Sequence, residues 1–264
     1  MFVDTHAHIP FEKSESFVKN AKEANVNIIV NASEDLKTSI TSVELSKLYD
    51  GVYACIGVHP EHAKDFDFSE LDEFRKLLKN EKVVAIGEIG LDYYYGKDDM
   101  ESQKKVFKAF LELAKEVNKP VVIHTRDAVM DTINILKEYN LKGIIHCFSS
   151  SKEVGMEYIK LGYKLGIGGV LTFKNSNLRN TVKSLGLENL VLETDSPFLS
   201  PEPYRGKENE SKNIPIIAKV LADSLGQDLF RVEELTTNNA RDILTYTKLF
   251  DIIIHVGECK SEKI

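Results

Sequence analysis

Asp4-Thr5-His6-Ala7-His8 sets a carboxylate and two imidazoles at alternate positions directly after the apolar pair Phe2-Val3. Alternate side chains of an extended strand share a face, so Asp4, His6 and His8 are expected to point together. Further metal-capable residues also follow apolar runs. His59 stands in Gly57-Val58-His59-Pro60, and Glu88 in Ala85-Ile86-Gly87-Glu88-Ile89-Gly90-Leu91-Asp92. His124 closes Val122-Ile123-His124, His146 closes Ile144-Ile145-His146, and Glu193-Thr194-Asp195 follows Leu190-Val191-Leu192. Five of the seven histidines therefore end a run, leaving His62 and His255 apart. One such histidine alone would read as a hydrogen-bonded structural residue. A cavity that gathers them all with carboxylates pays heavily in lost hydration unless something pairs them. A divalent cation does so, and neutral imidazole with carboxylate oxygen suits Zn, Mn, Mg, Fe, Co or Ni. Cys147 beside His146 is expected to face the other way, so a closed thiolate site for structural zinc is not expected.

The elements that must position these residues alternate along the chain. Strand-like runs occupy Phe2–Thr5, Val26–Val30, Val52–Val58, Val83–Gly87, Val121–Ile123, Gly143–His146, Tyr163–Ile167 and Leu190–Leu192. Helix-period stretches lie between them, such as Ser14–Asn25, Ser69–Lys79, Glu101–Asn118, Ala128–Tyr139, Lys152–Leu161 and Leu178–Leu185, with Asn213–Leu225 and Val232–Tyr246 after the last run. Eight runs alternating with helices predict parallel strands joined by crossovers, and the nearly all-apolar runs suit strands covered on both faces. The expected fold is a single-domain α/β structure, a (β/α)8 TIM-type barrel over residues 1–247 with a short tail at 248–264; an open doubly wound sheet is the alternative. In such a barrel the active site is built at the C-terminal ends of the strands, where the candidates fall. Phe250–Val256 is apolar and β-branched enough for one extra strand.

Composition fits a globular chain, with 42% hydrophobic and 28% charged residues. No apolar run approaches the roughly 20 residues of a membrane span. The N-terminus lacks the basic-then-apolar pattern of a signal peptide. Cys55, Cys147 and Cys259 form neither an even set nor a CxxC pair. Reduced thiols and a cytoplasmic location are expected, with neither membrane nor obligate protein partner. The net charge of -7, from 34 Lys+Arg against 41 Asp+Glu, has the wrong sign for a protein that coats nucleic acid. It leaves room for an enzyme that binds one strand end around a cationic centre.

The motifs Asp4-Thr5-His6-Ala7-His8, Gly57-Val58-His59-Pro60, Gly87-Glu88-Ile89-Gly90-Leu91-Asp92-Tyr93, His124-Thr125-Arg126-Asp127-Ala128, His146-Cys147-Phe148-Ser149 and Glu193-Thr194-Asp195-Ser196-Pro197, in this order, resemble the TatD-type metal-dependent deoxyribonucleases. These are a branch of the amidohydrolase-like barrels, and the resemblance extends to Pro203-Tyr204-Arg205-Gly206-Lys207-Glu208-Asn209-Glu210 and covers about residues 2–246. It implies two divalent cations per chain, one held by His6, His8 and Asp195, one by His124 and His146, with Glu88 bridging them. Many amidohydrolase relatives bridge through a modified lysine; Glu88 agrees with the TatD branch. Ser211 departs from the pattern, which places a proline after the Asn-Glu pair.

The resemblance also implies hydrolysis of DNA phosphodiesters, as a 3′–5′ exonuclease acting on single strands or 3′ ends. Two cations about 3.5–4 Å apart lower the pKa of a bridging water and clamp an in-line displacement. Asp195 would be both ligand and proton shuttle, and Arg126 would help stabilise the pentavalent phosphorus. His59 would contact phosphate or the leaving group, or simply hydrogen-bond a ligand, and Glu193 would hold a metal-bound water or an imidazole. Arg205 and Lys207 could grip a terminal phosphate, and Tyr93, Tyr94 and Tyr95 could stack bases. For the cationic and aromatic residues the plainer alternatives are solvated charge and packing. The same centre suits an ester or amide, including an aminoacyl ester on tRNA, and a non-catalytic metal-binding barrel is the alternative outside enzymes.

Overall fold

The protein, a computed structural model describing residues 1–94 and 99–244, is an eight-stranded parallel barrel. The strands β1 (Phe2–Ala7), β2 (Val26–Ala32), β3 (Val52–Ile56), β4 (Val83–Asp92), β5 (Val121–Arg126), β6 (Gly143–Ile145), β7 (Tyr163–Ile167) and β8 (Leu190–Leu192) pair in sequence order. Helices α1 (Ser14–Glu23), α2 (Leu36–Leu48), α3 (Leu71–Leu77), α4 (Met100–Val117), α5 (Val129–Leu136), α6 (Lys152–Lys160) and α7 (Leu178–Val182) form the crossovers, and α8 (Ile214–Leu225) and α9 (Leu229–Leu244) follow β8. The doubly wound alternative is thus excluded. The tail at 248–264, with the expected strand Phe250–Val256, lies outside the described residues. Among the described residues no helix is long and apolar enough to cross a membrane.

Two apolar layers make the core. The strand–helix layer takes in residues such as Val106, Phe107, Phe110 and Leu111, the apolar stripe of α4. Burying each of these side chains contributes about 2 kcal/mol. A second cluster joins Val3, Val30, Val122, Ile144 and Val191 from the strands to Ala240, Ile243 and Leu244 of α9, so α9 plugs one end of the barrel. The opposite end carries the metal-capable residues. Helix α2 has no apolar stripe to announce it: Ser39, Ser42 and Ser46 are buried, and Asp35 caps it by accepting from the Thr38 N–H at 2.7 Å. Ser42 meets the polar Asn31 of β2, donating to its carbonyl at 2.8 Å.

The seam between β1 and β8 is short because β8 has only three residues. Above them a single parallel bridge joins Ala7 to Ser196, with His8 N–H donating to Ser196 O at 2.7 Å and Asp195 N–H to His6 O at 2.9 Å. Side chains close the rest. Thr5 Oγ1 donates to Leu192 O at 3.0 Å, and Asp4 accepts from the Thr194 N–H at 3.0 Å and its hydroxyl at 2.6 Å. Register shifts interrupt the pairing of β1 with β2 on both sides of Val3–Asp4. Simple alternation therefore fails, and Asp4 turns into the seam rather than joining His6 and His8 in the mouth.

Candidate metal centre

Glu88 is the hub. Its buried carboxylate lies in the long strand β4, with His124 Nδ1 at 2.7 Å, His146 Nε2 at 3.1 Å, His6 Nε2 at 3.2 Å, His8 Nε2 at 3.8 Å and His59 Nε2 at 3.9 Å. Residues from within or just after β1, β3, β4, β5 and β6 are thereby brought to one point. Asp195 completes the other side, its Oδ1 3.7 Å from His8 Nε2 and 3.8 Å from His6 Nε2. Its backbone has φ +55°, an unusual conformation for a residue other than glycine. The rings crowd together: His6 stacks on His146 with centroids 3.9 Å apart, and His6 and His8 meet edge to face.

The electrostatics match this crowding. Burial pushes the Glu88 carboxyl up, but His146, His6 and the hydrogen bond with His124 hold it well below the usual carboxylate range. Burial disfavours charge on His146, yet Glu88 and Glu193 raise it well above an ordinary imidazole. His6 is lowered, by burial and by His146. Burial also lowers His59, to about 4, leaving a neutral ring at pH 7.

The tautomers test whether divalent cations fit. His124 Nε2 lies 2.9 Å from Asp92 Oδ2, and a carboxylate in that position takes the ring N–H. The lone pair of Nδ1 is then turned toward the Glu88 carboxylate at 2.7 Å, two acceptors facing each other. A proton or a cation must lie between them. Three overlapping groups, His6–His8–Asp195, His6–Glu88–His146 and His59–Glu88–His124, each gather ligand atoms within 4.8 Å of one another. The nitrogen and oxygen donors fit the hard-to-borderline cations expected, and no thiolate joins them.

Two carboxylates missing from the expected ligand set stand behind the imidazoles. Asp92 backs His124, as above. Glu193, fully buried, puts Oε1 at 3.3 Å from His146 Nδ1, without hydrogen-bond alignment, and accepts the Cys147 N–H at 2.6 Å. Strand β7 provides no ligand, only the space for Glu193: a Cβ at Gly166 would stand 2.0 Å from Glu193 Oε2. Cys147 does not face away as alternation suggested. β6 ends at Ile145, Cys147 has φ +48°, and it lines a cavity of about 220 Å³ together with His146, Arg126, Ser149 and Ser150. Burial pushes its thiol far up, so it remains protonated.

The expected substrate residues divide. Arg126 is exposed at the edge of that cavity, its guanidinium 3.5 Å from the centroid of the exposed Tyr94 ring. Arg205 stacks on Phe173 at 3.8 Å. Lys207 instead lines a surface groove with Asn20, Glu23 and Lys212, apart from the metal-capable cluster. Tyr93 is tied to Asp131 by its hydroxyl at 2.8 Å, and Tyr95 lies outside the described residues, so of the three tyrosines Tyr94 is the one shown presenting an open ring. Sequence reasoning missed Phe198, which is exposed three residues after Asp195 with its ring 6.3 Å from that of His8.

A family model described as TatD related DNase matches residues 3–245. An uncharacterized metal-dependent hydrolase of Bacillus subtilis, YabD, is 41% identical over 249 residues, covering 91% of this chain and 98% of its own. The Escherichia coli hydrolase YcfH, also uncharacterized, is 34% identical, covering 95% and 96%. Among solved structures, the TatD homolog YJJV of Escherichia coli superposes with a TM-score of 0.87 at 29% identity, covering 92% of this chain and 97% of that one.

Proposed function

The chain belongs to the TatD family of metal-dependent hydrolases, and from that premise we propose that it cleaves DNA phosphodiesters, taking nucleotides from the 3′ ends of single strands. The observation that carries the proposal is the Glu88 hub, where five imidazole nitrogens lie 2.7–3.9 Å from one buried carboxylate. Glu88 would bridge two cations, His6, His8 and Asp195 would hold one, and His124 and His146 the other. The chemistry that divalent cations supply at such a centre is acidification of water and neutralisation of phosphoryl charge.

The chain's own residues do the rest. Asp195 is the proton acceptor, because its side chain is 15% exposed against 4% for Glu88 and 0% for Glu193, so a proton taken there can leave to solvent. Glu193 faces His146 and the Cys147 backbone, and its work is to hold that imidazole. His59 Nδ1 accepts the Glu61 N–H at 3.3 Å, which leaves the single proton of the neutral ring on Nε2. That nitrogen lies 3.3 Å from His124 Nδ1 and 3.9 Å from Glu88 Oε1, and its N–H would donate to a phosphate oxygen or a leaving alkoxide. Arg126, held flat against Tyr94, grips the neighbouring phosphate, and Tyr94 offers a stacking face for an unpaired base.

Metal-loaded protein is assayed on single-stranded DNA, 3′-recessed duplex and aminoacyl-tRNA. The expected result is metal-dependent release of 5′-nucleotides from the two DNAs. Cleavage of the aminoacyl ester alone would overturn the assignment to DNA. Asp195→Asn should lower the rate by about 10³-fold with the fold intact by circular dichroism, and retained activity would refute the proton-accepting role.

A further inference from the structure

His124 is held at both ring nitrogens, and the group that holds the outer one is itself fixed in place. Asp92 Oδ2 takes His124 Nε2 at 2.9 Å, while Asp92 Oδ1 accepts the Tyr94 N–H at 2.9 Å. Both backbone groups of Asp92 are satisfied by one side chain. Its N–H donates to Gln103 Oε1 at 2.8 Å, and Gln103 Nε2 donates to its carbonyl at 2.8 Å. Gln103 is buried on α4, so its amide replaces a neighbouring strand and anchors the end of β4 to the helix layer. Asp92 therefore has little freedom to swing away from His124.

We propose that Asp92 is a positioning residue for the cation assigned to Glu88, His124 and His146, fixing the tautomer and rotation of His124, and that Gln103 is its brace. With the Nε2–H committed to Asp92, Nδ1 is the nitrogen left facing Glu88, where a cation would take it. A carboxylate behind a ligating imidazole also raises its basicity, and removing such a partner typically costs about 10–100-fold in metal affinity. Among the described residues the His6–His8 half has no equivalent: His6 Nδ1 is buried with no hydrogen-bond partner, and His8 Nδ1 is 4.0 Å from the half-buried Glu34 carboxylate. The effect of Asp92 is thus confined to one cation of two. It does not depend on what the enzyme hydrolyses.

The test reads each position separately. Crystals of the parent chain, Asp92→Ala, Asp92→Asn and Gln103→Leu are equilibrated at a series of buffered free Zn²⁺ concentrations, and occupancy at each position is measured by anomalous diffraction. Asp92→Ala should shift half-occupancy beside His124 to about 10–100-fold higher Zn²⁺ while the position beside His8 moves less than about twofold. Asp92→Asn should recover part of the loss, because an amide oxygen still accepts from Nε2–H. Gln103→Leu should act in the same direction, more weakly. Unchanged occupancy in Asp92→Ala, equal loss at both positions, no recovery in Asp92→Asn, or a parent chain that takes no Zn²⁺ beside His124 would each overturn the proposal.

Discussion

Around His6 the restraint runs through the main chain, whereas around His124 and His146 carboxylates behind the rings add to it. His6 N–H donates to Asp4 Oδ1 at 3.2 Å, and His6 O accepts the Asp195 N–H at 2.9 Å, so the barrel seam itself sets two groups of that half side by side. Among the described residues the outer nitrogen of His6 has no hydrogen-bond partner. In the other half, Asp92 and Glu193 stand behind the two imidazoles, one hydrogen-bonded and the other at ion-pair distance. A seam built on backbone pairing cannot slip without opening the barrel, so its ligands need little further support. His124 and His146 are held by main-chain pairing as well, His124 within β5 and His146 N–H donating to Ile123 O at 3.0 Å, and each gains in addition a carboxylate behind its ring. Two routes to preorganisation thus meet at Glu88.

Breaking the meeting point should have the largest effect. Glu88→Ala removes the carboxylate that the imidazoles of both halves face. Loss of the two proposed cations, by elemental analysis after dialysis, and a fall of at least about 10³-fold in hydrolysis are expected. One cation retained at the parent's affinity would mean that the halves are independent. A smaller effect, confined to the ring-held half, is expected from Gly166→Ala. The added methyl would stand 2.0 Å from Glu193 Oε2, and that carboxylate must move away from His146. About a tenfold loss of affinity for one cation should follow, with about 1–3 kcal/mol of destabilisation from overpacking. Unchanged metal titration would show that Glu193 does not position His146.

The strand order and the residues at the hub were legible because each lies at or just after an apolar, β-branched run, and those runs read alike in sequence and in space. What escaped did so for identifiable reasons. Helix α2 buries serines, so it carries no apolar period. Asp4 was misplaced because period-two alternation assumes an unbroken register, and β1 breaks it. Asp92 was passed over because β4 was taken to end at Gly87, whereas the strand continues to Asp92. One signal was available: Glu88 and Asp92 are four apart, an even spacing that puts both on one face of an extended strand, as their shared grip on His124 shows. Gly166 had no such signal, since its role is visible only once β8 has brought Glu193 against it.

The smallest of these effects sharpens the main-chain side. Ser211, where the family pattern would place a proline, is buried and donates its hydroxyl to Asp4 Oδ2 at 2.6 Å. Burial pushes the Asp4 carboxyl up to about 7, even though Ser211, Thr194 and the His6 backbone all donate to it. Ser211→Ala removes one of these donors while leaving Thr194 on the same oxygen, so the seam should loosen without opening. A loss of about 1 kcal/mol, the usual net worth of a buried hydrogen bond, corresponds to a Tm about 2 °C lower. Because His6 is held through Asp4, any change in metal binding should fall on the cation beside His8 and spare the one beside His124. That is the reverse of the pattern expected for Gly166→Ala. If Ser211→Ala melted at the parent temperature, the Asp4 network would not support the seam. If it weakened the His124 position instead, the division between main-chain and ring restraint would be wrong.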